Sequence, residues 1–147
     1  MMLAVASGKG GTGKTTVAVA LALAFEGPVE YLDCDVEEPN GSIFLKPDFA
    51  PAETVSVQVP VVDQDRCTSC GRCAGFCRFN ALVSLGTPPL VFPELCHSCG
   101  GCGIVCPAEA ISWGKNPVGE LAEGMVPGTD VRVVQGKLRV GSVLAPL

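Results

Sequence analysis

A glycine-rich stretch near the start of the chain has the residue types and spacing needed to bind a phosphate. Residues Ser7–Thr16 read SGKGGTGKTT, in which Gly8, Gly13, Lys14 and Thr15 satisfy the pattern GxxxxGK[ST]. Glycines in such a loop let backbone N–H groups wrap around a phosphate, and the following helix adds the positive end of its dipole. We expect Lys14 to reach the β- and γ-phosphates of a nucleotide and Thr15 to hold magnesium. The other expected nucleotide contacts of the loop are Gly10, Gly11, Thr12 and Thr16.

The segments on either side of this loop supply the elements that must position it. The apolar run Leu3–Ala6 precedes the loop and predicts a strand, and the longer apolar run Val17–Phe25 follows it and predicts a helix. A strand, a loop and a helix in this order are the context that the phosphate-binding pattern requires. The alternative, a glycine turn that binds nothing, fits this context less well.

Eight of the nine cysteines fall into two runs that repeat 29 residues apart, starting at Cys67 and at Cys96. Each run reads CxxCxxCxxxC, a spacing that brings three thiolates to one cluster and sends the fourth to its neighbour. One 4Fe–4S cluster would therefore be held by Cys67, Cys70, Cys73 and Cys106, and the other by Cys96, Cys99, Cys102 and Cys77. A zinc site is the alternative, but it needs only four ligands, usually in two separated pairs.

Three further residues invite interpretation. Cys34 shares no ligand spacing with the other cysteines and is interpreted as a small packing residue. His97 lies between expected ligands and is interpreted as an exposed spacer, since all eight cysteines are present. Arg78 stands where the second run has Pro107. Its charge could favour the reduced state of the cluster bound by the adjacent cysteine, or it could point to solvent, and the sequence leaves both open.

Composition excludes several classes of function. The chain has 147 residues and a net charge of −5, and no cluster of lysines or arginines offers a track for nucleic acid phosphates. The longest apolar run, Val17–Phe25, is too short to cross a bilayer. The apolar N-terminus is assigned to the strand before the phosphate loop, so we expect no signal peptide and a cytoplasmic protein. In a reducing compartment, the cysteines are expected to be metal ligands.

The rest of the chain predicts short elements joined by connections. Gly27 and Pro28 end the first helix, and Val29–Asp33 reads as a short buried strand of a parallel sheet. Residues Val55–Val62 predict a strand that Pro60 places at an edge, and we interpret Val59–Asp63 as opening the cysteine module rather than as a Walker B strand.

Proline and glycine predict connections at Lys46–Glu53 and Gly114–Asp130. Alternation of apolar and polar residues predicts a hairpin of Val131–Val134 and Lys137–Val140 around Gln135-Gly136.

The phosphate loop carries an additional lysine, Lys9, and KGGTGKT resembles the deviant P-loop of the MinD/ParA/nitrogenase iron protein ATPases. In that family the extra lysine crosses a dimer interface to the partner's nucleotide. The resemblance therefore implies an ATP-dependent homodimer, with ATP and magnesium as ligands and with Lys9, Lys14 and Asp35 in catalytic roles. A solvated loop lysine is the alternative. The stretch Asp33-Cys34-Asp35, with the following Val36–Asn40, resembles the family's switch I. The resemblance implies that Asp35 orients the attacking water or lies near magnesium while Asp33 supports the site. An acidic turn is the alternative.

As a whole, the order of motifs resembles MinD-superfamily ATPases that carry an inserted ferredoxin domain. The implied fold is α/β: an incomplete P-loop NTPase, a parallel sheet with flanking helices, plus an inserted α+β ferredoxin-like domain with two 4Fe–4S clusters. Residues 1–58 would be the first part of the ATPase domain, 59–115 the insert and 116–147 the return to the ATPase domain. The family's Walker B and switch II segments would follow Leu147. We therefore expect ATPase activity of the complete form and no turnover by this chain alone.

These expectations favour an ATP-binding iron–sulfur protein that couples ATP binding and hydrolysis to electron transfer, or to metallocluster maturation in a redox or cluster-assembly partner. The alternative is a simple two-cluster, ferredoxin-type electron carrier with an inactive P-loop portion. A third class, a MinD-like positioning protein, would need a membrane-targeting amphipathic helix, and the sequence pattern contains none.

Overall fold

The computed structural model describes residues 1–142, and its helices and strands fall into two compact units. The first unit comprises Met1–Thr54 and Gly119–Leu138, and the second comprises Val55–Val118 and, of the described residues, 139–142. In chain order the elements are α1 (Lys14–Ala24), β1 (Val29–Asp33), α2 (Gly41–Leu45), β2 (Asp48–Phe49), β3 (Glu53–Val62), α3 (Arg72–Phe76), β4 (Leu82–Val83), β5 (Leu90–Val91), a 3-10 turn (Pro93–Leu95), α4 (Gly101–Ile104), β6 (Ile111–Met125) and β7 (Val131–Leu138). No helix of residues 1–142 is long and apolar enough to cross a membrane.

The first unit is built on a mixed sheet. Strand β1 pairs in parallel with β7, from Val29 opposite Val131 to Asp33 opposite Gln135. Strand β7 pairs on its other side with the C-terminal part of β6 in antiparallel orientation, and β2 adds a short antiparallel pair to the end of β6. The core of this unit consists of Val19, Ala22, Leu45, Val126, Val131 and Val133. Helix α1 and the sheet are therefore held together by small and branched apolar side chains.

The helix predicted after the phosphate loop is confirmed as α1, and the strand that follows is confirmed as β1 with parallel pairing. The prediction that β1 is buried is wrong, because its residues alternate between partly buried and exposed, and Leu32 is 56% exposed. Only one face of β1 packs against the core. The strand predicted at Leu3–Ala6 is also wrong, since this run pairs with no strand of the described residues and Leu3 is exposed. A short run rich in alanine gains little from burial unless neighbouring strands satisfy its backbone.

The hairpin predicted within residues 131–140 is wrong, because β7 continues without a turn through Gln135 and Gly136. Both edges of β7 are paired, so a turn there would break hydrogen bonds with two neighbouring strands. On the exposed face, Arg132 forms ion pairs with Glu30 of β1, at 3.3 Å, and with Glu123 of β6. The hydrogen bond to Glu123 raises the pKa of Arg132.

The connection predicted at Gly114–Asp130 is likewise wrong, since most of it belongs to the fifteen-residue strand β6. Its glycines allow close approach between strands. A Cβ on Gly119 would come within 2.6 Å of the Lys137 carbonyl oxygen, and one on Gly124 would come within 2.7 Å of the Asp48 carbonyl carbon. Glycine marks close backbone approach here, not a loop. The connection predicted at Lys46–Glu53 contains the two-residue strand β2.

In the second unit, the predicted strand at Val55–Val62 is confirmed within β3, which pairs with β6. Among the described strands β6 is its one partner, which agrees with the edge position predicted from Pro60. Strands β4 and β5 form an antiparallel pair between the two cysteine runs. Two small buried clusters hold this unit, one of Val59, Ala81 and Cys96 and the other of Cys73, Leu82 and Cys102. Cysteines thus form a large part of its interior.

Candidate functional site

The phosphate loop is closed by its own hydroxyl groups. The Ser7 hydroxyl donates a hydrogen bond to the Lys9 carbonyl oxygen at 2.8 Å, and the Thr12 hydroxyl donates one to Ser7 Oγ at 2.8 Å. Gly11 and Gly13 have φ angles of 72° and 84°, in the left-handed region that glycine adopts at little cost. The sequence GGTG therefore bends the chain sharply into the first turn of α1.

Helix α1 begins directly after this bend, and its first turn presents groups that suit an anion. Lys14 and Thr15, the first two residues of the helix, are partly buried. A Cβ added to any of the loop glycines Gly8, Gly10, Gly11 and Gly13 would meet no heavy atom within 4 Å. The backbone of the loop is thus unobstructed, and N–H groups at a helix N-terminus lack intrahelical acceptors. The loop has the form of a phosphate cradle.

The carboxyl end of β1 carries the acidic residues of the second predicted motif. Asp33 accepts two backbone hydrogen bonds, from the N–H of Gly41 at 2.8 Å and from the N–H of Asp35 at 3.2 Å. Asp35 itself is exposed and accepts a longer one, at 3.4 Å, from the N–H of Glu38. Asp33 therefore shapes the segment that leads to α2, while the Asp35 side chain faces solvent.

Tyr31 and Gly41 fix this segment further. A Cβ on Gly41 would come within 2.6 Å of the Tyr31 ring, so a larger residue at this position of α2 would have to move the ring. Burial raises the pKa of Tyr31, and the negative charge of Asp33 raises it further. Only residues 25–28 separate α1 from β1, so the helix and the strand run in opposite directions and Lys14 lies at the same end as Asp33.

Two residues that the sequence did not single out lie at the same end. Asn40 Oδ1 and Gln135 Oε1 are buried oxygen atoms with no hydrogen-bond partner in the part of the chain that the structure describes. Asn40 precedes α2, and Gln135 lies opposite Asp33 in the parallel pair. Unsatisfied buried acceptors are uncommon and call for a donor such as water or a ligand group. No sequence signal marks Gln135, which we interpreted as part of a turn.

The two cysteine runs have the same backbone conformation. Left-handed φ angles occur at Ser69 and Ser98, at Gly71 and Gly100, and at Asn80 and Glu109, and each pair lies 29 residues apart. Four of these six residues are not glycine but serine, asparagine or glutamate, which adopt such angles at a cost. The internal repeat predicted from the sequence is therefore confirmed in the backbone.

A small, largely apolar pocket collects four cysteines. Cys67, Cys70 and Cys73 of the first run and Cys106 of the second run line it, together with Val62, Pro89 and Ile111 among others. These are the four residues that the spacing groups together. The partly buried Cys77 packs against both buried clusters of this unit, one of which contains Cys96 and the other Cys73 and Cys102.

Nothing in residues 1–142 brings three or more His, Cys, Asp or Glu side chains together as a site for one metal ion. In an iron–sulfur cluster each thiolate binds a different iron, so the sulfur atoms stand farther apart than around a single ion. The cysteines form no disulfides within the described residues. The assignment of the eight cysteines as cluster ligands stays a prediction.

The electrostatics of the thiols depend on their burial. Burial raises the pKa of Cys73, and it raises the pKa of Cys102 to about 11. At the surface, a backbone hydrogen bond from Arg72 lowers the pKa of Cys70. Buried thiolates need a compensating positive charge, which bound iron would supply. A bound metal that takes thiolate ligands, iron among them, would therefore offset the cost of burying these thiolates.

Asp63 shapes the turn that leads into the first run. Its Oδ1 atom accepts hydrogen bonds from the N–H groups of Asp65 at 3.0 Å and Arg66 at 3.1 Å, and its carbonyl oxygen accepts one from the Cys67 N–H at 3.0 Å. This agrees with the interpretation that residues around Asp63 open the cysteine module.

The remaining predicted residues have mixed outcomes. The interpretation of Cys34 as a packing residue is wrong, because its side chain is exposed at the end of β1. His97 is exposed as predicted, and its ring stacks on Phe79 with centroids 3.8 Å apart. Arg78 is exposed. Trp113, on β6, lies over Gly103 of α4.

A glycine loop that opens a helix, followed by a strand in parallel pairing, defines an α/β nucleotide-binding protein of the P-loop type. Residues 3–136 match the family model of the CobQ/CobB/MinD/ParA nucleotide binding domain, and the chain belongs to this family. Its members are generally ATPases and those of the MinD/ParA type often dimerise, so the match supports ATP binding. The family match does not address the cysteine runs.

The chain is also similar to the uncharacterized protein MJ0578 of Methanocaldococcus jannaschii. The two are 34% identical over 94 residues, which make up 62% of this chain and 34% of that relative. The matched stretch thus spans about a third of the relative's length.

Proposed function

We propose that this protein binds ATP and two 4Fe–4S clusters, and that it couples ATP binding and hydrolysis to electron transfer or to metallocluster maturation in a partner protein. The observation that carries the proposal is the pocket in which Cys106 joins Cys67, Cys70 and Cys73. A two-cluster ferredoxin needs this crossing of runs, and neither a zinc site nor a set of structural thiols does.

The nucleotide half of the proposal is supported by the family and by the geometry of the loop. In it, the loop amides and Lys14 bind the phosphates of ATP, and the Thr15 hydroxyl is a ligand of magnesium. Asp33, with its carboxylate engaged by two backbone N–H groups, holds the segment that presents Asp35. Asp35 orients the attacking water, and Lys9 acts on the nucleotide of a second copy in an ATP-dependent homodimer.

The iron–sulfur half assigns roles to the second unit. Cys67, Cys70, Cys73 and Cys106 hold the first cluster, and Cys77, Cys96, Cys99 and Cys102 hold the second. When bound, the clusters supply one-electron transfer. The protein's contribution is a mostly apolar surround with buried thiols, as at Cys73 and Cys102, which limits water at the ligands.

The proposal is tested by anaerobic reconstitution of the 147-residue chain with iron and sulfide. About eight irons per chain are expected, since two runs provide ligands for two four-iron clusters. The control is Cys34→Ser, which changes the one cysteine outside the runs and should load as the parent does. Stoichiometric zinc in anaerobically purified protein, at about one ion per four cysteines, would refute the iron–sulfur assignment.

A second measurement separates the proposal from a simple electron carrier with an inactive P-loop. ATP with magnesium is expected to bind, and to change the rate at which a small reductant reduces the clusters, in the parent and not in Lys14→Ala. Absence of nucleotide binding by the parent, with both clusters present, would favour the simple carrier.

A further inference from the structure

The ring of Phe76 lies directly on Gly101. A Cβ added to Gly101 would overlap this ring, with Cε1 the nearest atom and Cζ and Cδ1 at 3.0 and 3.1 Å. Gly101 is the first residue of α4, and its φ is not in the left-handed region, so its backbone would accept a side chain. A larger residue at Gly101 would therefore have to move this ring, which belongs to a side chain that is 49% exposed, and would meet no strain from the backbone conformation.

These two residues come from opposite cysteine runs, and each is next to a cysteine. Phe76 ends α3 and precedes Cys77, and Gly101 precedes the buried Cys102. The N–H of Cys77 bonds to the carbonyl oxygens of Cys73 and Ala74, both at 3.2 Å, which ties Cys77 to the last turn of α3. The ring contact therefore joins the residue that precedes Cys77 to the first residue of α4.

The internal repeat shows that the runs do not otherwise require this glycine. At the position of the first run that corresponds to Gly101 stands Arg72, and at the position of the second run that corresponds to Phe76 stands Val105. Both Arg72 and Gly101 begin a short helix after a left-handed glycine. The same backbone thus carries a long side chain in one run and none in the other, where the phenylalanine ring lies.

We propose that Phe76 is a positioning residue whose ring, seated on Gly101, sets the spacing of α3 and α4 and so places Cys77 among the ligands of the second cluster. This rests on the proposed function, because it takes Cys77, Cys96, Cys99 and Cys102 as one ligand set. Two ligands of the second cluster, Cys77 and Cys102, directly follow Phe76 and Gly101, whereas Cys106 of the first cluster lies beyond the end of α4. A side chain at position 101 that pushes against the Phe76 ring should therefore lower occupancy of the second cluster more than that of the first.

The test uses four variants of the full chain: Gly101→Ala, Phe76→Ala, the double variant, and Gly75→Ala as the matched control. Gly75 also lies in a short helix of a cysteine run, and a Cβ there meets nothing within 4 Å. Gly101→Ala and Gly75→Ala each add one methyl group, and only the first presses on the ring.

Iron content, the EPR spectrum of the reduced protein and the thermal unfolding midpoint of the apoprotein are measured for each variant. Gly101→Ala is expected to lower the iron content from about eight to about four per chain, with one cluster signal kept, whereas Gly75→Ala keeps both. Phe76→Ala should lower occupancy of the same cluster partially. The double variant should resemble Phe76→Ala and not the sum of the two losses, since the methyl group then enters space that the ring has left.

The apoprotein measurement keeps the two proposals separate. If the parent takes up no iron, the proposed function fails, yet Gly101→Ala should still unfold several degrees below Gly75→Ala, with the difference removed by Phe76→Ala. Gly101→Ala that matches Gly75→Ala in iron content and unfolding would overturn the positioning role. The positioning role would also be overturned if the loss of iron content or unfolding midpoint in the double variant equalled the sum of the losses in the two single variants. If Gly101→Ala does not fold, Phe76→Ala alone decides, and full occupancy of both clusters in that variant would refute the proposal.

Discussion

Replacement of Cys106 by serine tests whether the ligand sets cross between the two runs. Cys106 ends the second run, yet it lines the pocket with the three leading cysteines of the first run, and its Sγ accepts a hydrogen bond from the Ala110 N–H at 3.4 Å. Serine keeps the shape of the side chain and removes the thiolate. Since one of two four-iron sets loses a ligand, we expect the iron content to fall by about half, from about eight to about four per chain.

The EPR spectrum of the reduced, anaerobically reconstituted protein identifies the cluster that is lost. Cys70→Ser removes a proposed ligand that belongs to the first run's cluster whether or not the sets cross, and Cys99→Ser removes the corresponding proposed ligand of the second. The spectrum that remains in Cys106→Ser should match that of Cys70→Ser, and the reciprocal change Cys77→Ser should match Cys99→Ser. If Cys106→Ser instead matches Cys99→Ser, each run holds its own cluster and the ligand assignment is wrong.

The remaining predictions concern the first unit. Lys14→Ala should weaken ATP binding at least about ten-fold by calorimetry, a loss of about 1.4 kcal/mol, because Lys14 is proposed to pair directly with the phosphates. Lys9→Ala should leave the ATP affinity of a single chain unchanged. Equal losses of affinity in the two variants would contradict the assigned roles. Asp33→Ala should lower the free energy of unfolding in urea by about 2–4 kcal/mol, because two backbone N–H groups lose a charged acceptor, whereas Asp35→Ala should cost less than about 1 kcal/mol. Val133→Ala should cost about 2 kcal/mol, since Val133 is fully buried and two methyl groups are removed at about 0.8 kcal/mol each with a cavity left behind. A cost below about 0.5 kcal/mol would show that the core around Val133 is not packed as described.

The elements that the sequence predicted correctly are those with local signals. Helix α1 follows from an uninterrupted run of alanine, valine and leucine that begins after a glycine bend, and β1 follows from a short apolar run with a turn before it. In β3, alternation and β-branched residues outweigh Pro60, which an edge strand tolerates. In each of these segments, the residues that decide the structure are neighbours in the chain.

The predictions from sequence were wrong where a glycine lies against a segment that is distant in the chain. Gly119 and Gly124 suggested a loop, but each makes room for a backbone that approaches from another segment, Lys137 in one case and Asp48 in the other. Gly136 suggested a turn, but it continues a strand that is paired on both sides. Glycine occurs both in turns and where two backbones approach closely, and only the position of the neighbouring segment distinguishes the two cases.

The same distinction explains which site residues were visible in advance. The cysteines were visible because their grouping follows from spacing within each run, and the repeat of left-handed positions shows that spacing and backbone agree. Gln135 was invisible because it reaches the end of β1 only through the parallel register that sets it opposite Asp33. Asn40 ends the stretch that resembles switch I, but no signal marked it individually; it precedes Gly41, whose N–H donates a hydrogen bond to Asp33. Buried oxygen atoms at Asn40 and Gln135, beside a carboxylate already engaged by the backbone, add two acceptors to the end of the sheet where the phosphate loop lies. The loop pattern carries no information on the pairing of β1 with β7, so it gave no indication of these two acceptors.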